Sequence, residues 1–356
     1  MNIKKGIAAA LALGLLVYGV LAVKSLRPFV RVHPQGTDGC RLVEAPGLLG
    51  AEDMEYDAAS DTLWISAANR RLTPSHRPRQ GQVFRYHPDR DSAPQPVPVV
   101  GLPTDFRPHG MGLWRDASGL RLFIVQHGDA GESVELFAVE PQPADPGKVQ
   151  LRYLRSVTSP AFISLNDVAP VGPESFYASN DHGGRSPLSL LLEDFLFLSR
   201  ASVAYFDGQQ GRIVASGLRY SNGITADRGG RLLVVAEALA ERVSVFARRP
   251  DGGLDKLSSR EFGTAVDNFA QDESGAYYVG AHPVALQFLQ HAKDERVASP
   301  SQVLRFVVTP AGEISEVTTR LMEDGHALSA SSVAVAFGRH LVVGPVFQRG
   351  LLVCPR

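Results

Sequence analysis

Residues 166–181 read NDVAPVGPESFYASND. Asn166 and Asp167 precede a short apolar step and a Gly-Pro turn, and Phe176 and Tyr177 then alternate with small residues, as in a strand. A turn needs Asn or Asp at one or two positions. Here oxygen-bearing side chains bracket the unit at both ends, with Asn180, Asp181 and His182 closing it. The unit recurs as EDMEYDAASDTLWISAAN from Glu52, HGMGLWRDASGLRLFIVQH from His109, NGITADRGGRLLVVAE from Asn222, DNFAQDESGAYYVGAH from Asp267 and SSVAVAFGRHLVVGP from Ser331. Each copy carries a polar residue, one further residue, an apolar residue, a polar turn and a β-rich run. The copies start 45 to 64 residues apart, and further strand-like runs such as GQVFRYH, SVAYFD and RVSVFAR fall between them. Six such units predict an all-β fold, a six-bladed β-propeller, since a sandwich would not repeat at this spacing.

The innermost strand of each propeller blade lines the central channel. The first polar residue of every unit therefore points at one axis: Glu52, His109, Asn166, Asn222, Asp267 and Ser331, with Asp53, Asp167, Asn268 and Ser332 one position on. Carboxylates and amide carbonyls converging on an axis form a hard-oxygen cage of the kind calcium prefers. Zinc would draw on His and Cys, and both cysteines lie elsewhere. So many carboxylates could not all stay ionised in a narrow channel without a cation. The plainer reading makes each of them an ordinary turn residue, which the recurrence in six units opposes.

The 356 residues are 44% hydrophobic and 21% charged, with a formal net charge of -1. That is a globular balance with ample core, and the scattered basic residues give no nucleic-acid surface. The chain is read as a segment 1–30 followed by a propeller over 31–356. Within the first, Gly6–Val23 holds no charge and follows Lys4 and Lys5. It is expected to be an uncleaved membrane anchor that places the remainder outside the cytoplasm, with a cleaved signal peptide as the alternative. Cys40 and Cys354 are the only cysteines. In an exported chain they read as one disulfide closing the circle, with the last blade drawing a strand from each end; two unrelated buried thiols are the other reading.

The segments AEDMEY, FRPHGMGLW, LNDVAPVGPESFYASNDH, SNGITADRGGRLLVVAE and VDNFAQDESGAYYVGAHP, in this order and spacing, resemble the paraoxonases, from about Cys40 to Cys354. The resemblance implies a calcium-dependent arylesterase and lactonase with two ions in the channel. It implies a catalytic ion held by Glu52, Asn166, Asn222, Asp267 and Asn268, and a deeper structural ion held by Asp53, Asp167 and the backbone carbonyl of Met111. Ser221 stands where the family has Ala, and Ala281 stands where it has a third cysteine that is not a nucleophile. The family's histidine pair falls on His109 and His127. His109 would deprotonate the attacking water with His127 as relay, or a ligating carboxylate such as Asp267 would do so. His182 and His282 are expected to brace the ligands. Phe347 and Ser332 are assigned to the substrate pocket. The apolar run from Leu190 to Phe197 implies a greasy, lipid-touching lid, and hence lipophilic lactone or ester substrates and a membrane partner. A phosphotriesterase side activity is open. So are a sugar-lactone hydrolase, a strictosidine-synthase-like enzyme and a non-enzymatic binding propeller.

Overall fold

The computed structural model describes residues 14, 16, 18–71, 81–102, 105–128 and 131–356. Six sheets follow one another along the chain, antiparallel except that Val99–Val100 joins the edge of the second sheet in parallel. The first blade runs through Ala51–Asp57, Thr62–Ala67, Gln82–Tyr86 and Gln95–Pro96, and the next four blades open on Pro108–Asp116, Leu165–Pro170, Ser221–Ala226 and Ala265–Gln271. The sixth is composite. Ser331–Phe337, His340–Pro345 and Leu351–Pro355 pair in sequence order, and Arg41–Val43 from the chain's beginning adds the outer strand, with Arg41 opposite Val353. Cys40 and Cys354 are bonded beside that register, so the expected disulfide and the ring closure coincide.

Sequence explains the layering within each blade. Second strands such as Leu232–Glu237 (LLVVAE) and Tyr277–His282 (YYVGAH) are buried along their whole length and read as near-continuous apolar runs. Outer strands such as Leu254–Glu261 are largely exposed and polar. The core is divided into six large clusters, each shared by neighbouring blades, and a small seventh made of Ala330, Val346 and Phe347. Ile65 and Phe84 of the first blade pack with Val335 and Phe337 of the sixth, and Phe123 of the second with Phe176 of the third.

Two helices sit on loops that lengthen the repeat, α1 (Pro187–Phe195) and α2 (Ala285–Lys293). Ser186 caps α1 by accepting from the Ser189 amide, and Pro187 occupies its first turn. Residues 18–26 are also helical. Most of the uncharged Gly6–Val23 stretch, and residues 72–80 between the second and third strands of the first blade, lie outside the described residues. Among the described residues no helix is long and apolar enough to cross a membrane.

Candidate active site

Every inner strand breaks register at its start. Pairing skips from Leu165 to Val168, from Ser221 to Ile224, from Val266 to Phe269 and from Pro108 to Met111, and the first and sixth blades slip at Glu52 and Ser332. A bulge leaves the extra residues unpaired and re-aims their side chains. That explains how two consecutive residues, such as Asn166 and Asp167 or Asp267 and Asn268, are both free for the channel when an ideal strand would send them to opposite faces. In the second and fourth blades the second bulge residue is Gly110 or Gly223. A Cβ on Gly110 would meet the Asp167 Cα at 2.4 Å, and one on Gly223 the Asn268 Cα at 2.7 Å, so these blades give way to their neighbours' ligands.

Glu52, Asp53, Asn166, Asp167, Asn222, Asp267 and Asn268 are each between 0 and 7% exposed. Their hydrogen bonds divide them into two groups. In one, Asp53 Oδ2 accepts from the Met111 amide at 2.6 Å, and Asp167 Oδ2 accepts from the Ile224 amide at 2.8 Å. Burial holds both carboxyls well above the usual range, and the charge of Asp167 adds to the effect on Asp53. In the other, Asn268 Nδ2 donates to Glu52 Oε1 at 2.7 Å. His282 Nε2 and the Ser332 hydroxyl meet Asp267 Oδ2 at 2.9 and 3.1 Å. Glu52 Oε2 and the Oδ1 atoms of Asn166, Asn222 and Asn268 are buried with no hydrogen-bond partner. Burial pushes Glu52 up to about 7 against the pull of Arg70. Among the described residues no three His, Cys, Asp or Glu side chains gather around a point; the donor set mixes carboxylates with amides. Orphaned buried oxygens on four inner strands suit a hard cation.

Of the side chains bracketing the 166–181 unit, only the first two serve the channel. Asn180 accepts from the amides of Ile163 and Ser164 and donates to Ala161 O and Ser202, so it ties a loop. His182 bridges Asp181 at 2.7 Å and Asp194 of α1 at 3.0 Å. It therefore latches the rim helix, whereas His282 touches a candidate ligand. Ser332 lies among the ligands. Phe347 lines a cleft of about 930 Å³ whose walls include none of them. It connects to Asp267 through rings: Phe347 to Phe288 at 5.6 Å, Phe288 to His282 at 4.0 Å.

His109 and His127 meet edge to face, centroids 4.8 Å apart. Two of their partners escape sequence reasoning. Arg70 Nε donates to His109 Nδ1 at 3.0 Å, while its other nitrogens bind the carbonyls of Gly50, Ala68 and Pro108. Neutral His109 then carries its proton on Nε2, 3.6 Å from Glu52 Oε1. Burial, then the positive charge of Arg70, holds His109 well below the ordinary imidazole value. Glu132 stands directly across the hairpin from His127 and approaches Nδ1 at 3.0 Å. The signal for Glu132 was its place after a short turn following His127; Arg70 gave none. Glu55, two residues beyond Asp53 on the same strand, adds a further carboxyl pushed up to about 8 by burial.

Comparison with known proteins follows the same outline. The model of the family described as Arylesterase matches residues 100–355. Serum paraoxonase/arylesterase 1 of Rattus norvegicus is 30% identical over 333 residues, 92% of this chain and 91% of its own. Serum paraoxonase/arylesterase 2 of the same organism is 34% identical over 248 residues, 69% of this chain and 68% of its own. Among solved structures, a gluconolactonase of Xanthomonas campestris superposes with a TM-score of 0.51 at 17% identity, covering 93% of this chain and 99% of its own. A luciferin-regenerating enzyme gives 0.54 at 10% identity, covering 89% and 96%. These two likenesses concern the fold alone. Over most of its length, and through the strands that carry the channel residues, the chain belongs to the arylesterase (paraoxonase) family.

Proposed function

We propose that this protein is a calcium-dependent hydrolase of lactones and aryl esters. The observation that carries the reading is the set of buried oxygens without a hydrogen-bond partner, Glu52 Oε2 and the Oδ1 atoms of Asn166, Asn222 and Asn268, beside Asp267; Arg70 Nη2 lies 3.6 Å from that Glu52 oxygen. These residues would hold the catalytic ion, and Asp53, Asp167 and the Met111 backbone a second, structural one. Calcium held by the first set would supply Lewis-acid polarisation of the ester carbonyl. The chain's own residues do the rest. Asn268 and Ser332 hold the carboxylates of Glu52 and Asp267 in place, and His282 orients Asp267. The His109–His127 pair, or a ligating carboxylate such as Asp267, takes the proton from the attacking water.

Helix α1 supports a lipophilic substrate and a membrane surface. Its buried residue is Glu193, while Leu188, Leu191, Leu192 and Phe195 are exposed. Glu193 accepts from the Gly183 amide and from Ser189, so the charge faces in and the apolar side faces out. Tyr18, from the N-terminal helical residues, packs on Phe195 at 5.2 Å. An anchor at 1–30 and an apolar rim together would seat the propeller on a bilayer outside the cytoplasm. The disulfide agrees with that compartment.

The test is a panel of aliphatic lactones, aryl esters and phosphotriesters, assayed with calcium and with chelator. Hydrolysis of lactones and aryl esters that chelator abolishes supports the reading. Undiminished turnover in chelator rejects it.

A further inference from the structure

Glu132 lies outside the candidate calcium site, yet both its carboxylate oxygens are engaged beside the histidine pair. Its Oε1 and Oε2 approach His127 Nδ1 at 3.1 and 3.0 Å. Its Oε2 also accepts from the Leu165 amide at 3.0 Å, which pins the carboxylate to the start of the third blade, one residue before Asn166. A carboxylate only accepts, so His127 must carry a proton on Nδ1, and its neutral form exposes a lone pair on Nε2. The neighbouring His109 is set the opposite way, because Arg70 donates to its Nδ1. Two imidazoles in edge contact thus present unlike Nε2 atoms: a donor on His109 and an acceptor on His127.

We infer that Glu132 is a positioning residue that makes His127 the proton acceptor for the attacking water, with His109 serving as a fixed hydrogen-bond donor beside it. The inference rests on the hydrolase reading. In the step itself, water gives one proton to His127 Nε2 as its oxygen bonds the acyl carbon. The carbonyl π pair moves to oxygen, and the imidazolium returns the proton to the leaving alkoxide when the acyl–oxygen bond breaks. Glu132 stabilises the imidazolium through Nδ1–H and orients its ring, a carboxylate–histidine arrangement. Among the described residues, the charged and titratable groups around His127 include Glu132 across the hairpin, His109 and Glu52 toward the channel, and Arg107, which donates to the His127 carbonyl.

The experiment compares Glu132→Gln, Glu132→Asp, His127→Gln and the double variant Glu132→Gln/His127→Gln in calcium-loaded protein. Glu132→Gln is expected to lower kcat about 10- to 100-fold with KM unchanged, a common size for loss of a histidine's supporting group. It should also move the acid limb of the pH–rate profile to lower pH, because the imidazolium has lost its anion. Glu132→Asp should restore part of both. In the double variant the second change should add nothing, since the two residues act as a unit. Full additivity, or an unmoved acid limb with kcat retained in Glu132→Gln, overturns the inference. A readout independent of turnover is the ¹⁵N shift pattern of His127 in histidine-labelled protein. Nδ1–H is expected in the native chain and loss of that preference in Glu132→Ala. Nε2–H in the native chain would overturn the inference even where the hydrolase reading stands, and an inactive native protein with Nδ1–H would reject the hydrolase reading instead.

Discussion

Glu52 must be an anion to hold a cation, yet burial raises it to about 7 when no cation offsets the cost. The sign follows from linkage. With an ordinary unfolded value of 4.5, the metal-free folded protein binds more protons than the unfolded chain between pH 4.5 and about 7, so its stability falls as pH rises through that window. Metal-free protein should therefore melt lower at pH 8 than at pH 5.5. Calcium should remove that slope and should bind more weakly as pH falls through about 7, which calorimetry at several pH values would show. The two proposed ion sites should also part company under substitution. Asp267→Asn is expected to cost more than ~10²-fold in turnover with folding intact. Asp167→Ala leaves the buried amides of Val168 and Ile224 without their acceptor and should cost about 1–3 kcal/mol per orphaned group in denaturant unfolding. A loss of activity in Asp167→Ala with unchanged unfolding would contradict the division. At this scale much was legible: Glu52, Asn166, Asn222 and Asp267 each open a repeat, and a repeat position is visible in a string. Arg70 and Glu132 were not, because one arrives from the loop between the second and third strands of the neighbouring first blade and the other by hairpin register.

Among the elements, the bulged inner strand decides the site. The recurring polar pair could be seen, but not the slip in register that lets both members serve the channel, because a bulge has no residue signature beyond the occasional glycine. Gly223 is such a case. A Cβ there would press on the Asp267 carbonyl at 2.6 Å, which is backbone and cannot swing aside. Gly223→Ala should destabilise the protein by about 1–3 kcal/mol and impair turnover together. Helix α1 was legible as apolar, but not its inward Glu193 or its tie to His182. Burial lowers the His182 value, but the hydrogen bonds it donates to Asp181 and Asp194 outweigh it and push the group up to about 10. A histidine raised in the fold gives stabilisation that is complete below its unfolded value near 6.5 and lost as pH rises through about 10. Hydrogen exchange across 187–195 should accordingly stay slow at pH 7, speed up near pH 10, and be fast at both in His182→Ala. Leu191→Asp should weaken binding to lipid vesicles while sparing turnover of a water-soluble lactone; equal vesicle binding would remove the membrane role of this face.

For the whole molecule, the ring is held by six shared cores and by one covalent closure. Each blade has its second strand buried on both faces, so a blade cannot leave without exposing parts of two clusters. The join between first and last segments is where a propeller opens, and there the Cys40–Cys354 bond spans a separation of 314 residues. Replacing both cysteines with Ala should cost roughly 3–5 kcal/mol by the loop-entropy account, seen as a lower denaturation midpoint. That closure could be anticipated from the cysteine positions and the repeat count together. The channel is proposed to be a calcium site on which hydrolysis depends. That proposal is tested by the calcium content and lactone turnover of one preparation, followed through exhaustive chelation and stepwise return of the ion. Two bound ions are expected, with turnover that vanishes when the more weakly held one is removed and recovers in step with its return, while the melting temperature tracks the other. Turnover that persists in protein shown to be free of metal would rule the proposal out.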